Sequence, residues 1–434
     1  MKDKLAVFWF RRDLRLQDNA GLFHALQSDY PVLPIFIFDD HILENLERDD
    51  ARVSFIHKNL QKIREQLLQN DSSIAIFKGK PEKILKQLLK SYDIAEVYTN
   101  HDYEPYAKER DSTIEEILSS HNIPFKTYKD QVIFEKEEVV KNDGSPYVVY
   151  SPYMRLWKEK FRELKPVVYN TKPHFKNFIK ARDLPNLTLK ELGFEPSSIN
   201  VPPFEISETL IKDYDAKRNF PGLDSTSRLG PHLRFGTVSI REIVKIAASQ
   251  KNETFLQELI WREFFMQILY HFPHTVTHAF KPKYDRIQWR NNEEEFLLWK
   301  AGKTGYPLVD AGMRQLNETG FMHNRVRMLV ASFLCKHLLI DWRWGEAYFA
   351  EKLLDYEMSS NVGNWQWAAG SGVDAAPYFR IFNPSTQLKD YDKDMEYVKA
   401  WIKEYGTANY PEPMVDHKEA RERVLKVYKA AVTE

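Results

Sequence analysis

One cysteine in 434 residues excludes a disulfide framework and any centre built from several thiolates. That residue, Cys335, lies in the apolar run LVASFLCKHLL and reads as a small buried hydrophobe. Net charge is also missing. With 62 basic and 62 acidic residues, no whole-molecule field draws the chain toward nucleic acid or a membrane, so a polyanion must be met by a local basic patch. No apolar run approaches the length of a bilayer span, and the opening MKDKLAVFWFRRDLRLQDN lacks the apolar core of a secretory signal, so a cytoplasmic protein is expected. HExxH, CxxC and Walker sequences are absent, which leaves zinc hydrolysis and P-loop chemistry without support, and the scattered histidines read as structural.

Aromatic side chains are what the chain has in excess, 14% of residues with 10 Trp and 22 Tyr. Aromatic faces serve planar ligands and bases as well as cores. Residues 359–384, SSNVGNWQWAAGSGVDAAPYFRIFNP, concentrate Asn, Trp, Gly, Asp, Tyr and Arg where a core would want aliphatics. Together with Trp342 and Trp289, the tryptophans Trp365 and Trp367 of this stretch are compatible with an aromatic relay around a redox or light-absorbing cofactor, and also with a plain aromatic core.

At this length two cores can be buried. The runs LAVFWF, VLPIFIF, SIAIFKG, EVYTN and FKTYKD alternate with the amphipathic stretches NAGLFHAL, ARVSFIHKNLQKIREQLL, PEKILKQLLKSY and EPYAKERDSTIEEILSSH. This alternation predicts an α/β domain over residues 1–131, a Rossmann-like, doubly wound parallel sheet. No GxGxxG follows its first strand, which argues against a dinucleotide site there. Over residues 132–203 the periodicity fades into a connector whose one helical stretch is YVVYSPYMRLWKEKFRELKP. From 204 to 434, segments such as TFLQELIWREFFMQILYHF, NRVRMLVASFLCKHLLI and GEAYFAEKLLDYE carry helical spacing throughout, predicting an all-α domain.

Three constellations stand out. In ELIWREFF, Glu258, Trp261 and Arg262 fall at i, i+3 and i+4, so an acid, a large aromatic and a guanidinium share one helix face; an edge Glu–Arg pair on an ordinary amphipathic helix would look the same. In MHNRVRML, Asn324, Arg327 and Met328 share a face with Arg325 at its border, which suits either a ligand-facing helix end or a solvated basic one. In TSRLGPHLRFG, two hydroxyls and an arginine precede Gly-Pro, the makings of a phosphate nest or of a capped turn.

These motifs, with the opening FWFRRDLRLQDN and the long stretch GKTGYPLVDAGMRQLNETGFMHNRVRM, resemble in order and over nearly the whole chain the DNA photolyase and cryptochrome family. NWQW from Asn364 and the Asn324/Met328 pair are most similar to class I enzymes acting on cyclobutane pyrimidine dimers; (6-4) relatives place histidines on that face, and DASH-type members tend to have Tyr at the place of Trp367. The resemblance implies FAD in the helical domain, whose reduced form, excited by blue light, passes an electron to a flipped-out dimer in UV-damaged DNA. Photolyases are among the enzymes known to take their target base out of the stack, at a cost of a few kcal/mol. It further implies a monomer without membrane association, and, as the alternative function, a blue-light receptor signalling through a protein partner. The chain ends soon after HKEARERVLKVYKAA, with none of the long tail of many signalling members.

Matching positions assigns roles. Trp261 and Trp367 would wall the lesion pocket, a desolvated Glu258 would hydrogen-bond the dimer, and Asn324 and Met328 would lie between lesion and flavin. Trp365, Trp342 and Trp289 match an electron-hopping chain. Tyr214 and Thr226, Ser227, Arg228 and Leu229 match the cofactor's phosphate-binding stretch, Arg327 and Asp355 the pair beside its ring, Glu357 its pyrimidine edge, and Asn361 the residue facing its reactive nitrogen. Arg218, Arg262, Arg325 and Arg380 are candidates for strand phosphates. Glu357 stands where Asp is usual, Phe255 where Trp is frequent and Gly230 where Ser is frequent. Folate-binding members carry Tyr-Glu-x-Asn-Glu, whereas Tyr103-Glu104-Pro105-Tyr106-Ala107 stands here; this argues against a folate antenna and leaves a deazaflavin, a flavin or no second chromophore open, with deazaflavin or flavin favoured over folate.

Overall fold

β-Branched and aromatic runs flanked by turn residues become strands here, and every second side chain of a strand faces the same layer. The computed structural model describes residues 4–164 and 167–433, so the last two residues of YVVYSPYMRLWKEKFRELKP and the first three of the chain lie outside the described residues. Five strands, β1 (Lys4–Phe10), β2 (Val32–Asp39), β3 (Ala75–Gly79), β4 (Asp93–Asn100) and β5 (Phe125–Tyr128), form one parallel sheet in the order β3-β2-β1-β4-β5. Along β1, Ala6, Phe8 and Phe10 enter one core and Leu5, Val7 and Trp9 the other. Helices α1 (Ala20–Leu26) and α2 (Ala51–Leu68) cover the first face through Leu22, Leu26, Leu60, Ile63 and Leu67. Helices α3 (Pro81–Ser91) and α4 (Pro105–Ser119) cover the second through Ile84, Leu85, Leu88, Ile114 and Leu118. Asn19 caps α1, Asp50 caps α2, and proline opens α3 and α4.

The chain divides into two compact units. The sheet unit takes residues up to 135, 160–204 and 228–249; the helical unit takes 136–159, 205–227 and everything from 250. Residues 132–203 are thus shared between the two units.

After residue 204 the described residues form no strand. The helical unit is built on α5 (Glu208–Lys217), α6 (Thr254–His271), α7 (Pro307–Thr319), α8 (Asn324–Ser332), α9 (Trp342–Lys352), α10 (Met358–Ala369) and α11 (His417–Thr433). Helix α6 is buried almost all round, from Phe255 to Leu269, and its one buried carboxylate, Glu263, accepts from the Trp157 indole at 2.5 Å. NRVRMLVASFLCKHLLI is not one uniform helix: α8 passes into a π turn, Phe333–His337, with Cys335 fully buried. GEAYFAEKLLDYE ends as helix at Lys352, one residue before Leu353 turns to extended backbone. Trp299, Trp342 and Trp365 anchor the core. Among the described residues no helix is long and apolar enough to cross a membrane, and no cluster of His, Cys, Asp and Glu forms a metal site.

Candidate functional site

Doubly wound sheets usually take ligands at the carboxyl ends of strands where the strand order reverses, which here is the crevice between β1 and β4. That crevice is filled. Arg11 pairs with Asp111 at 2.5 Å and also donates to the Asn100 carbonyl; Arg12 reaches Asp102 at 3.1 Å and Glu104 at 3.2 Å; the Asn100 amide donates to Asp13 at 2.5 Å. About 10 Å³ remains, room for one water rather than a ring system.

In the helical unit a recess opens between α8 and α10. Asn324, Arg327, Met328 and Ala331, at i, i+3, i+4 and i+7, present one face of α8 to it. Helix α10 contributes Ser360, Asn361, Asn364, Trp365 and Trp367, and the turn after α9 contributes Asp355, Tyr356 and Glu357. His323 starts α8 by accepting from the Arg325 N–H at 3.2 Å, while Gly370, at φ +90°, ends α10. Gly345 explains how Trp365 reaches its place: a Cβ at that position would lie 2.1 Å from the indole.

The polar groups of the recess are held in fixed orientations. The Arg327 fork donates to Asp355 at 3.1 and 2.9 Å and its Nε to the Met322 carbonyl at 2.7 Å. The Asn361 amide donates to the Glu346 side chain at 2.9 Å and to its carbonyl at 3.1 Å, so its own Oδ1 is the atom left for a ligand. Burial pushes the Glu346 carboxyl above its ordinary range. Glu346 is absent from the sequence-based assignment; its only signal there was its place in GEAYF, on the helix facing Asn361. Phe349 and Trp299 were also missed: they pack edge-on to Trp365 at 5.0 and 6.2 Å. Such a set suits a flat heteroaromatic ring with a polar edge: aromatic walls, one fixed cation and one oriented amide. The recess encloses about 100 Å³, enough for part of such a ligand.

The remaining predicted residues are placed as follows. Glu258 is not desolvated: its side chain is 35% exposed and ion-paired with Arg218, because the end of α5 packs against α6. Trp261 does not line the recess. Tyr150 stacks flat on it at 3.7 Å and 8°, and Phe265 lies on it at 5.5 Å. Trp367 does line the recess, beside Phe382 at 6.5 Å. Trp365 and Trp342 are buried and Trp289 is half-buried against Tyr428 at 6.0 Å. Tyr214 meets Phe255 edge-on at 5.2 Å, and burial raises its hydroxyl to about 12. The Ser227 carbonyl accepts from the Glu205 N–H at 2.9 Å, and Thr226 stands beside it outside the recess. Arg228, in the left-handed region at φ +54°, and Leu229 fall in the sheet unit. Arg325 donates to Asn219 at 2.6 Å and lies over Tyr391 at 4.4 Å, Arg262 is half-buried on α6, and Arg380 is exposed.

Comparison with known proteins places this arrangement. Residues 6–172 match the DNA photolyase family model and residues 255–408 match the FAD binding domain of DNA photolyase. The deoxyribodipyrimidine photo-lyase of Synechococcus sp. is 36% identical, covering 99% of this chain and 98% of that protein. A bacterial class III photolyase from Agrobacterium tumefaciens has a similar structure, with a TM-score of 0.87, 32% identity, 100% of this chain and 99% of that one. An archaeal photolyase from Sulfolobus tokodaii, solved with two FAD molecules, gives a TM-score of 0.84 at 34% identity over 98% of this chain and 99% of that one. The chain belongs to the DNA photolyase family and carries that family's FAD-binding domain.

Proposed function

We propose that this member of the DNA photolyase family is a light-driven lyase that splits cyclobutane pyrimidine dimers in UV-damaged DNA. The observation that carries the reading is the convergence of Asn324, Arg327 and Met328 from α8 with Asn361, Trp365 and Trp367 from α10 on one recess. FAD, when bound, supplies the light-excited electron donor. The residues of the recess do the rest. Arg327, held by Asp355, keeps a positive charge beside the ring and favours negative charge on it. Asn361, tethered to Glu346, offers an acceptor oxygen in a fixed direction. Asn324 and Met328 stand one helical turn apart at the same wall, with Asn324 Nδ2 4.0 Å from the Met328 sulfur, a narrow polar and polarisable boundary against which an extruded pyrimidine dimer can rest. Trp367 adds a stacking face, worth roughly 1–3 kcal/mol per base.

Glu258 enters this reading through Arg218. A strand phosphate competes with Glu258 for the Arg218 guanidinium, so we place Glu258 at the lesion when Arg218 turns to that phosphate. The antenna chromophore, a deazaflavin or flavin, belongs to the proposal as a second cofactor without an assigned place. Monomeric state and the class I subtype stand as proposals too.

The deciding experiment is blue-light repair of an oligonucleotide carrying one thymine dimer, by chemically reduced protein, against a (6-4) oligonucleotide and a dark sample. Recovery of base absorbance with the cyclobutane substrate alone supports the reading. Bound FAD without repair of either lesion would move it to a blue-light receptor acting through a protein partner.

A further inference from the structure

A second cavity lies in the sheet unit, about 330 Å³ between α2 and the irregular segment 197–204. It arises from a second face of α2. While Val53, Leu60, Ile63 and Leu67 are buried, Ala51, Ser54, Phe55, Lys58, Asn59 and Lys62 follow at i, i+3, i+4, i+7, i+8 and i+11 and line the cavity instead. The facing segment is tied down at both ends: the Ser197 N–H donates to Ser54 Oγ at 3.1 Å, and His232 bonds the Pro202 carbonyl through Nε2 at 2.9 Å. The cavity is therefore built into the fold rather than left by a loose loop.

Its lining divides by chemistry. Phe55 and Phe204 meet the His232 ring edge-on at 5.5 and 4.9 Å and give an aromatic wall. His232 itself has both ring nitrogens engaged, Nδ1 with Thr237 at 2.9 Å, and burial holds it below its ordinary pKa, so it is a neutral part of that wall. Asn59 uses its Nδ2 on the Phe55 carbonyl at 2.8 Å, which leaves Oδ1 as an acceptor. Lys58 and Lys62 are exposed neighbours at i and i+4, and among the described residues neither has a carboxylate partner. Like charges at that spacing repel. An apolar cavity of roughly 300–1,000 Å³ with a few convergent polar groups is the usual form of a small-molecule site.

We propose that this cavity binds a nucleoside monophosphate, its base against Phe55 and Phe204 with the Asn59 oxygen at the base edge, and its phosphate between Lys58 and Lys62. The ring-and-dianion pairing fits the division of the lining, and the volume fits one nucleotide rather than two.

The test uses FAD-saturated protein, so that an adenine subsite for FAD is already filled, and titrates AMP and TMP by calorimetry with adenosine and ribose 5-phosphate as halves of the ligand. One-to-one binding of a nucleotide, at least tenfold tighter than either half and weakened at least tenfold in Lys58→Glu/Lys62→Glu with unchanged FAD content and melting temperature, is the expected result. A nucleotide that fails to bind at millimolar concentration overturns the proposal. So does binding that the double variant leaves unchanged. Asn59→Leu, which keeps the helix and both lysines, is expected to lower affinity for AMP while leaving ribose 5-phosphate unaffected; equal losses for both would also overturn the assignment of the base end.

Discussion

Arginines meet carboxylates both in the β1/β4 crevice and in the helical recess, yet only the recess is open. In the crevice, Arg11, Arg12, Asp13, Asn100 and Asp102 satisfy one another from several sides and leave about 10 Å³. In the recess, the Arg327–Asp355 fork is as well made, with side chains 23% and 18% exposed, but both residues line an open space of about 100 Å³. Pairing that encloses a charge builds structure; pairing that fixes a charge in direction while leaving one edge open prepares a site. The comparison also shows why the general rule for doubly wound sheets does not locate the site in this chain.

The strongest way to break that contrast is in the sheet unit's own charge cluster. Asp130, 2% exposed, accepts from Arg15 at 2.7 Å, Arg241 at 2.8 Å and the Ala20 N–H at 3.0 Å. Asp130→Ala removes the carboxylate from Arg15 and leaves Arg241 paired only with Asp18, and is expected to cost about 3 kcal/mol, read as a fall in the urea midpoint. Burial opposes its ionisation, but Arg15 and Arg241 outweigh burial and hold its carboxyl below the ordinary range. Its contribution is therefore present above the ordinary aspartate pKa and lost as pH falls through the lower folded value. A midpoint that barely moves would make the enclosed cluster no more structural than the open one.

Arg327→Ala is the counterpart. Because that pair is open on one side, the expected loss falls on FAD rather than on folding: about 1.5–3 kcal/mol for hydrogen bonds to a charged group, some tenfold to a hundredfold in FAD affinity by absorbance titration, with the apoprotein's urea midpoint nearly unchanged. Arg327→Lys keeps the charge without the fork and should recover only part of the affinity. A loss of folding instead of FAD would erase the distinction.

How much of this was legible in the sequence follows from what each residue responds to. The α2 stretch ARVSFIHKNLQKIREQLL coincides with Ala51–Leu68 because an Asp cap and a helical apolar stripe are local signals. Asn324, Arg327 and Met328 were found for the same reason, since i, i+3, i+4 spacing puts them on one face whatever lies opposite. Glu346 was not, because its role depends on Asn361, fifteen residues on and in another helix. Tyr150 on Trp261 is likewise a tertiary contact with no local signature. The environment of Glu258 was misjudged because Arg218 lies forty residues away in sequence and beside it in space. The π turn after α8 replaced an uninterrupted apolar periodicity that gave no sign of it.

That π turn supplies a third, smaller contrast, a buried polar pair that proton uptake would break. His337 Nε2 and His417 Nδ1 are 2.9 Å apart, which requires one of the two to be a neutral acceptor. Burial, followed by His417, Arg423 and Lys336, pushes the His337 pKa down from 6.5 to about 3. The folded state thus refuses a proton that the unfolded chain accepts, so the stability is complete above pH 6.5 and is lost as pH falls toward 3. The slope approaches about 1.4 kcal/mol per pH unit for one such group. His337→Phe, which keeps the stack on Phe333, is expected to flatten the dependence of the urea midpoint on pH in that window; an unchanged slope would assign it to other groups.

The mildest test separates the recess from its surroundings by function. Trp342, buried at the start of α9, and half-buried Trp289 are read as the outer steps of an electron path that begins at Trp365. Phenylalanine preserves the packing of Trp342 in large part but is far harder to oxidise. Trp342→Phe is therefore expected to slow light-driven reduction of bound FAD about tenfold, roughly 1.4 kcal/mol of barrier, while repair by chemically reduced protein stays at the parent rate. Trp299, edge-on to Trp365 at 6.2 Å, makes the result informative in the other direction. If photoreduction survives in Trp342→Phe and fails only when Trp299 is also replaced, electrons leave the recess by the neighbour that its tertiary packing provides. Equal loss of photoreduction and repair would instead make Trp342 a structural support of the recess, and the division between an open site and the core that holds it would have to be redrawn there.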